Sequence, residues 1–187
     1  MTVFLVRHAQ TEWNTLGRRQ GRLDSPLTPA GVRQTRRHAA ALRPMGIDAI
    51  FVSPLGRTRE TARIIGAALA LEPVVVDDLA ELDHGAFSGL TNAEIDRRFP
   101  GERERRAAAK YEYRFPGGES YADADVRVAR ALASIAGRRP LVVAHEMVGR
   151  LLQRHWLGLT PAAALGRSHP HDVIYEIDPG ERTCRAL

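Results

Sequence analysis

Thr2-Val3-Phe4-Leu5-Val6 runs directly into Arg7-His8. The first five residues are almost continuously apolar and rich in β-branched side chains. That composition suits a strand buried on both faces, as in a parallel sheet. Similar runs recur at Ala49–Val52, Pro73–Val76, Leu141–Ala144 and Val173–Ile177.

Helical patterns fill the spaces between these runs. Thr28-Pro29 sets a capping hydroxyl before a proline suited to a first helical turn, and the pattern continues to Leu42. Further helices are predicted over Thr58–Leu69, Tyr121–Ile135 and Val148–Trp156. Thr91-Asn92-Ala93-Glu94 is a capping-box pattern that opens another. Strand alternating with helix predicts an α/β fold of three layers, α/β/α, around a mostly parallel sheet. One segment breaks the alternation. About residues 92–120 become arginine-rich, then aromatic, then Pro116-Gly117-Gly118, and read as a small cap over one end of the sheet. No internal repeat or dividing linker is visible, so residues 1–187 are expected to form one domain.

The formal net charge is +5. A basic excess can mark a polyanionic partner. Here Lys110 is the only lysine against 26 arginines, which reads as a compositional habit with mostly solvated arginines. Arg103, Arg105 and Arg106 are assigned on this basis to an exposed helix face. Neither nucleic acid nor a membrane is expected as partner. The single cysteine, Cys184, excludes an internal disulfide and a cysteine metal cluster. No segment approaches the roughly 20 apolar residues of a membrane span, and the start lacks a signal-peptide core. A cytoplasmic protein is expected, either monomer or homodimer.

Ligands of open α/β sheets bind beyond the carboxyl ends of the strands. Four strand ends carry ionisable residues: Arg7-His8, Arg57 shortly after Val52, Glu81 after Val76, and His145 after Ala144. A lone histidine beside an apolar run is usually structural. Two histidines and two arginines, all at strand ends, are harder to explain as packing. The set suits phosphoryl transfer. Arginine forks bind phosphate oxygens bidentately. A neutral histidine can accept the phosphoryl group, with its other nitrogen donating to a backbone carbonyl. A carboxyl group can protonate the leaving alkoxide and then activate water. Arginines can supply the charge stabilisation, so no metal or other cofactor is required.

These residues sit in motifs that resemble the histidine phosphatase superfamily, the phosphoglycerate mutase-like fold. Leu5-Val6-Arg7-His8-Ala9-Gln10-Thr11-Glu12-Trp13-Asn14 resembles its opening signature. Ser53-Pro54-Leu55 with Arg57, Leu79-Ala80-Glu81-Leu82-Asp83, Gly117-Gly118-Glu119-Ser120 and Val142-Val143-Ala144-His145 resemble its later motifs. The resemblance implies that His8 is the phosphohistidine nucleophile and Glu81 the acid/base. It implies that Arg7, Arg57 and a cationic His145 form the phosphate pocket. Asn14 matches a further phosphate ligand, and Gln20 and Gly21 lie in a segment that borders substrate. His84 is a weaker candidate for the pocket wall. Two positions depart from the pattern: Ala9 and Glu146 stand where the family usually has glycine. Glu146 is expected to point away from the phosphate or to pair with Arg150.

The implied activity is a phosphomonoesterase acting on a small-molecule phosphate ester. The alternatives are a phosphoglycerate mutase and a weakly catalytic phosphate-binding module. The stretch between Glu81 and His145 is short for the family's cofactor-dependent mutases, which favours the phosphatase. His169-Pro170-His171-Asp172 reads as a structured loop rather than a metal site, because HxH without a further ligand is a weak signal. Ser53 has no base positioned near it in sequence and is not read as a nucleophile.

Overall fold

The computed structural model describes residues 1–187. In chain order its strands and helices are β1 (Val3–Arg7), α1 (Glu12–Thr15), α2 (Pro29–Leu42), β2 (Ala49–Val52), α3 (Gly56–Leu69) and β3 (Pro73–Val75). They continue with α4 (Asn92–Arg98), α5 (Glu102–Ala108), α6 (Tyr121–Ala131), β4 (Pro140–Ala144), α7 (Glu146–Leu157), α8 (Pro161–Leu165), β5 (Ile174–Asp178) and β6 (Thr183–Ala186). The fold is the expected α/β class. No helix is long and apolar enough to cross a membrane.

The six strands form one sheet in the order β3-β2-β4-β1-β5-β6. The first four run parallel, and β5 and β6 are antiparallel to their neighbours. Side chains alternate between two apolar layers, as strand geometry requires. Phe4, Val6, Ile50, Val52, Leu141 and Val143 meet Ala39 and Leu42 of α2 and Ala62 and Ile65 of α3. Val3, Leu5, Val142 and Ala144 meet Tyr121, Ala124 and Val128 of α6 and Val148, Leu151 and Leu152 of α7. Phe4 and Tyr121 are almost completely buried. Burying an apolar side chain of this size stabilises the fold by about 1.5–3 kcal/mol.

Several elements differ from the sequence reading for local reasons. The helix from Tyr121 stops at Ala131 and closes as a 3₁₀ turn over Leu132–Ser134. Helix α7 begins at Glu146, because β4 passes into it with only His145 between. Strand β6 was not expected: Thr183–Ala186 is a mostly exposed edge with no apolar run to mark it. Helix α8 was also missed, although Thr160-Pro161 repeats the start signal of Thr28-Pro29, and Thr160 accepts from the Ala163 N–H.

Within the expected cap, α4 and α5 follow each other. Thr91 and Glu94 form the capping box read from the sequence. The loop carrying Arg18 and Arg19 is tied to the base of this segment. The Arg19 N–H donates to the Leu90 carbonyl at 3.0 Å, and the Gly89 N–H donates to the Arg19 carbonyl at 2.7 Å.

Candidate active site

Strand register assembles the site. Arg7 lies opposite Ala144, and Val52 opposite Val143. The chain therefore leaves β1, β2 and β4 side by side, delivering His8, Ser53 and His145 to one edge. The His8 N–H donates to the Ala144 carbonyl at 2.9 Å, and the Ser53 N–H to the Val143 carbonyl at 3.2 Å. The rings of His8 and His145 stand 5.3 Å apart.

A cleft of about 310 Å³ opens above this edge. Arg7, His8, Asn14, Gln20, Gly21, Arg57 and Glu81 all line it, as does His84. His145 is the exception among the expected residues. It lies fully buried behind the cleft wall. Only Met147 among the lining residues is apolar, so the cleft is built for a polar, anionic ligand.

His8 is 3% exposed, and its Nδ1 lies 2.8 Å from the Ala9 carbonyl. In the tautomer that bond selects, Nδ1–H donates and Nε2 keeps its lone pair. Burial, Arg57 and Arg7 hold the His8 pKa well below the usual imidazole value. The ring is thus a neutral, nucleophile-competent imidazole.

Arg57 is almost buried and anchored on three sides. Its Nη1 donates to the Leu23 carbonyl and to Asp24 Oδ1, both at 2.7 Å, and its Nη2 to the Gly21 carbonyl at 2.8 Å. Gly21 has φ +55°, and a Cβ there would press on His84. Only glycine brings that carbonyl to Arg57 without strain. The Nε atoms of Arg7 and Arg57 are buried without a hydrogen-bond partner. An unsatisfied buried donor costs about 1–3 kcal/mol, and a bound phosphate oxygen would satisfy such donors.

Asn14 closes the capping box of α1. Its Oδ1 accepts from the N–H and the hydroxyl of Thr11 at 3.0 and 2.9 Å, which leaves its amide donors for the cleft. Gln20 is buried, with its Oε1 taken up by the Ser25 hydroxyl at 3.3 Å.

Glu81 is 6% exposed. Its carboxyl group caps the first turn of α7, accepting from the Leu82 N–H at 3.0 Å and from the Met147 and Val148 N–H groups at 3.2 Å. Burial raises its pKa, while Arg57 and the backbone donors oppose the rise. The net direction is upward, toward a carboxylic acid with a proton to give. Arg127 holds the backbone that carries it: its guanidinium donates to the carbonyls of Asp78, Ala80 and Glu81 at 2.7, 2.6 and 3.2 Å.

His145 departs from the cationic form expected of it. Burial, followed by Arg57, His8 and Arg7, pushes its pKa well below the usual value. Its Nε2 lies 2.7 Å from the Ser53 hydroxyl. Ser53 therefore does have a base beside it, supplied by tertiary structure. Ser53 is fully buried and does not line the cleft, so it orients His145 rather than meeting substrate.

Glu146 does not turn away. It faces the cleft and bridges two arginines, with Oε1 2.7 Å from Arg150 and Oε2 3.2 Å from Arg7. Pairing with Arg150 was expected, but pairing with Arg7 was not. Arg106 also corrects its assignment to an exposed helix face, since its side chain lines the cleft.

Two histidines that sequence reasoning left in a loop stand behind the site. His169 Nδ1 lies 3.0 Å from the His145 carbonyl, and His171 Nδ1 2.6 Å from the His8 carbonyl. The His171 ring meets His8 edge-on at 5.1 Å. The signal that could have found them is strand direction, because antiparallel β5 begins where the parallel strands end. Of the remaining histidines, His155 pairs with Asp125 at 2.7 Å and His38 is buried in α2.

Comparison with known proteins identifies the family. Curated relatives named probable phosphoglycerate mutase GpmB are 39% identical over 168 residues in Enterobacter sp. (strain 638) and 41% over 171 residues in Yersinia pestis (strain Pestoides F). Each alignment covers 88% of this chain and 78% of the relative. Among solved structures, mycobacterial glucosyl-3-phosphoglycerate phosphatase superposes with a TM-score of 0.84 at 28% identity, covering 100% of this chain and 96% of that one. An Escherichia coli protein described as a putative alpha-ribazole-5'-P phosphatase superposes with a TM-score of 0.88 at 21% identity, over 100% and 94% of the two chains, a likeness of fold. The model of the histidine phosphatase superfamily, branch 1, matches residues 3–187, and the chain belongs to that family.

Proposed function

We propose that this protein is a metal-independent phosphomonoesterase that works through a phosphohistidine on His8. The observation that carries the reading is the pairing of a neutral His8 with a protonatable Glu81 in one cleft, beside two arginines whose Nε donors lack partners.

The residues perform the reaction as follows. Arg7, Arg57 and Asn14 bind the phosphoryl oxygens of the ester. His8 Nε2 forms a bond to phosphorus as the ester P–O bond breaks. Glu81 gives its proton to the departing alkoxide, which leaves as the alcohol. Glu81, now a carboxylate, takes a proton from water, and the water oxygen bonds to phosphorus as the P–N bond breaks. Inorganic phosphate leaves, and His8 and Glu81 return to their starting protonation states. Arg7 and Arg57 balance the charge on the transferring oxygens throughout, as donors preorganised by their own hydrogen bonds. His145, fixed by Ser53, packs behind His8 and holds the nucleophile's ring in place.

A second reading is phosphoglycerate mutase chemistry, in which the phosphoryl group passes from His8 to a second alcohol. The name shared by the relatives at 39–41% identity favours it. The short passage between Glu81 and His145, with α4, α5 and α6 as its only α-helices before β4, supports the hydrolase.

Rapid quenching with a ³²P-labelled ester separates the two. The hydrolase reading expects acid-labile label on the wild type, none on His8→Ala, and discharge to water. Discharge to 2- or 3-phosphoglycerate would establish the mutase. Absence of label on the wild type would remove both.

A further inference from the structure

Glu81 and Arg57 reach the cleft from different parts of the chain. Glu81 follows β3, whereas Arg57 opens α3 and is held by the loop after α1, through the carbonyls of Gly21 and Leu23. Between those two carbonyls stands Arg22. Its Nη2 donates to Glu119 Oε1 at 3.0 Å. Glu119 belongs to Gly117-Gly118-Glu119-Ser120, a motif to which the cleft gives no role. Both polar backbone groups of Asp83 are held by this one residue. Glu119 Oε2 accepts from the Asp83 N–H at 3.0 Å, and the Glu119 N–H donates to the Asp83 carbonyl at 2.9 Å. Gly118 permits the approach, because a Cβ there would collide with the Asp83 carbonyl. Arg127 of α6 completes the hub. It forks onto Glu119, Nε to Oε1 at 3.1 Å and Nη2 to Oε2 at 3.0 Å. The same guanidinium holds the carbonyls of Asp78, Ala80 and Glu81. Burial raises the Glu119 pKa, but Arg127, the Asp83 N–H and Arg22 outweigh it and hold the group as a carboxylate at neutral pH.

We propose that Glu119 is a positioning residue, the centre of a strut outside the cleft that fixes Glu81 against Arg57. The contacts run from Arg57 to the Gly21 and Leu23 carbonyls, through Arg22 to Glu119, and from there through Asp83 and Arg127 to Glu81. The strut rests on the phosphomonoesterase reading for the role of Glu81. Proton transfer needs the acid within about 2.6–3.2 Å of the leaving oxygen. Arg57 fixes the phosphoryl end of the same bond. A small shift between the two loops therefore costs proton transfer before it costs phosphate binding. Charge-assisted bonds that satisfy one another in a partly buried network give the stiffness this requires. Arg22, Glu119 and Arg127 do not line the cleft, so their effect on the reaction passes through Glu81.

Arg22→Gln tests the strut from its exposed end without opening the core. Single-turnover phosphorylation of His8 is measured with an alkyl phosphate, whose alcohol needs a proton, and with p-nitrophenyl phosphate, whose leaving group does not. We expect Arg22→Gln to slow the alkyl ester by about threefold or more and p-nitrophenyl phosphate by less than about twofold, with binding of inorganic phosphate unchanged. Arg22→Lys keeps a cation near Glu119 and should recover most of the loss. Arg114→Gln removes another exposed arginine, the partner of Asp123, and should slow neither ester. Hydrogen exchange at the Met147 and Val148 N–H groups gives a readout without turnover, since both donate to the Glu81 carboxyl group. Exchange should be faster by about threefold or more in Arg22→Gln and in Glu119→Gln, and unchanged in Arg114→Gln. Equal slowing of the two esters, no recovery with lysine, or unchanged exchange would overturn the strut. A wild type that forms no phosphohistidine from either ester would overturn the hydrolase reading, and exchange alone would then decide the strut.

Discussion

Glu146 sets a carboxylate oxygen 3.2 Å from Arg7 Nη1 while its other oxygen holds Arg150 at 2.7 Å. Under the proposed function, a carboxylate at this position competes with phosphate for Arg7. Glu146 is partly exposed, with its pKa lowered by Arg7 and Arg150 against the effect of burial, so it is charged at neutral pH. Replacing it with Gln removes the competition. Glu146→Gln should lower the inhibition constant of inorganic phosphate by about 3- to 10-fold, the scale of one partly screened ion pair. Unchanged or weaker inhibition would show that Glu146 does not hold Arg7 back.

Glu81 caps α7, and the proposed function also gives it a proton to carry. Glu81→Gln keeps the side chain's shape and one acceptor oxygen, but its NH2 faces one of the Met147 and Val148 N–H groups, so urea unfolding is measured beside the loss of proton transfer. The substitution should lower kcat by about 10²–10⁴-fold on an alkyl phosphate, the usual worth of general acid–base catalysis. The loss should be much smaller for p-nitrophenyl phosphate phosphorylating His8, because that leaving group departs without a proton. Equal losses in the two phosphorylation rates would count against the general-acid role.

Five histidines at or behind the site are held neutral by burial. The pKa falls to about 3 for His84 and His169 and to about 4 for His171, and well below the usual value for His8 and His145. Their unfolded counterparts titrate near 6.5. Below that pH the unfolded chain binds more protons than the fold, so stability falls as pH drops. Each histidine contributes up to ~1.4 kcal/mol per pH unit between about 6.5 and its folded pKa. Glu81, with its raised pKa, works in the opposite direction and offsets part of this. Denaturant midpoints measured from pH 7 to pH 4 should therefore drop steeply, starting near pH 6.5. A flat profile down to pH 5 would mean that these rings are not buried neutral.

If His8 and Glu81 act as proposed, the depressed pKa of the one and the raised pKa of the other shape activity. His8 stays unprotonated well into the acidic range, and Glu81 keeps its proton to a higher pH than an ordinary glutamate. The profile of kcat/KM should have its acidic limb well below pH 6.5. His171→Ala removes the ring that meets His8 edge-on and the bond to the His8 carbonyl. It should lower kcat more than it raises KM, because substrate contacts remain. A change confined to KM would place His171 at the substrate instead.

Gly149 packs against the His169 ring, and a Cβ there would collide with it. His169 in turn contacts the His145 carbonyl, and its own carbonyl accepts from Arg7 at 3.3 Å. Gly149→Ala should cost about 1–3 kcal/mol of stability, as small overpacking changes in a core do, and should raise KM by displacing Arg7. Urea unfolding and steady-state kinetics check the two effects together. An unaffected protein would show that the His169 loop can move aside freely.

Periodicity and local chemistry alone determined much of this protein. The apolar runs mark β1, β2 and β4 because both faces of those strands are buried, whereas parallel β3 is half exposed and the run at Val173–Ile177 becomes the antiparallel β5. Thr28-Pro29 and Thr91-Glu94 mark helix starts because their side chains satisfy orphan N–H groups locally. His8, Arg57, Glu81 and His145 follow strand ends in the sequence, and they meet at one edge since parallel strands share a carboxyl edge. Tertiary structure decided the rest. The direction of β5 is set by pairing with β1, and no short pattern reveals it, so His169 and His171 stayed hidden. The protonation of His145 depends on burial and on Arg57, which is 88 residues away in sequence. Ser53 gains its partner, Glu146 gains Arg7, and Arg106 reaches the cleft only when loops from distant segments close over the sheet. Charge and burial at those positions belong to long-range contacts, which spacing along the chain does not encode.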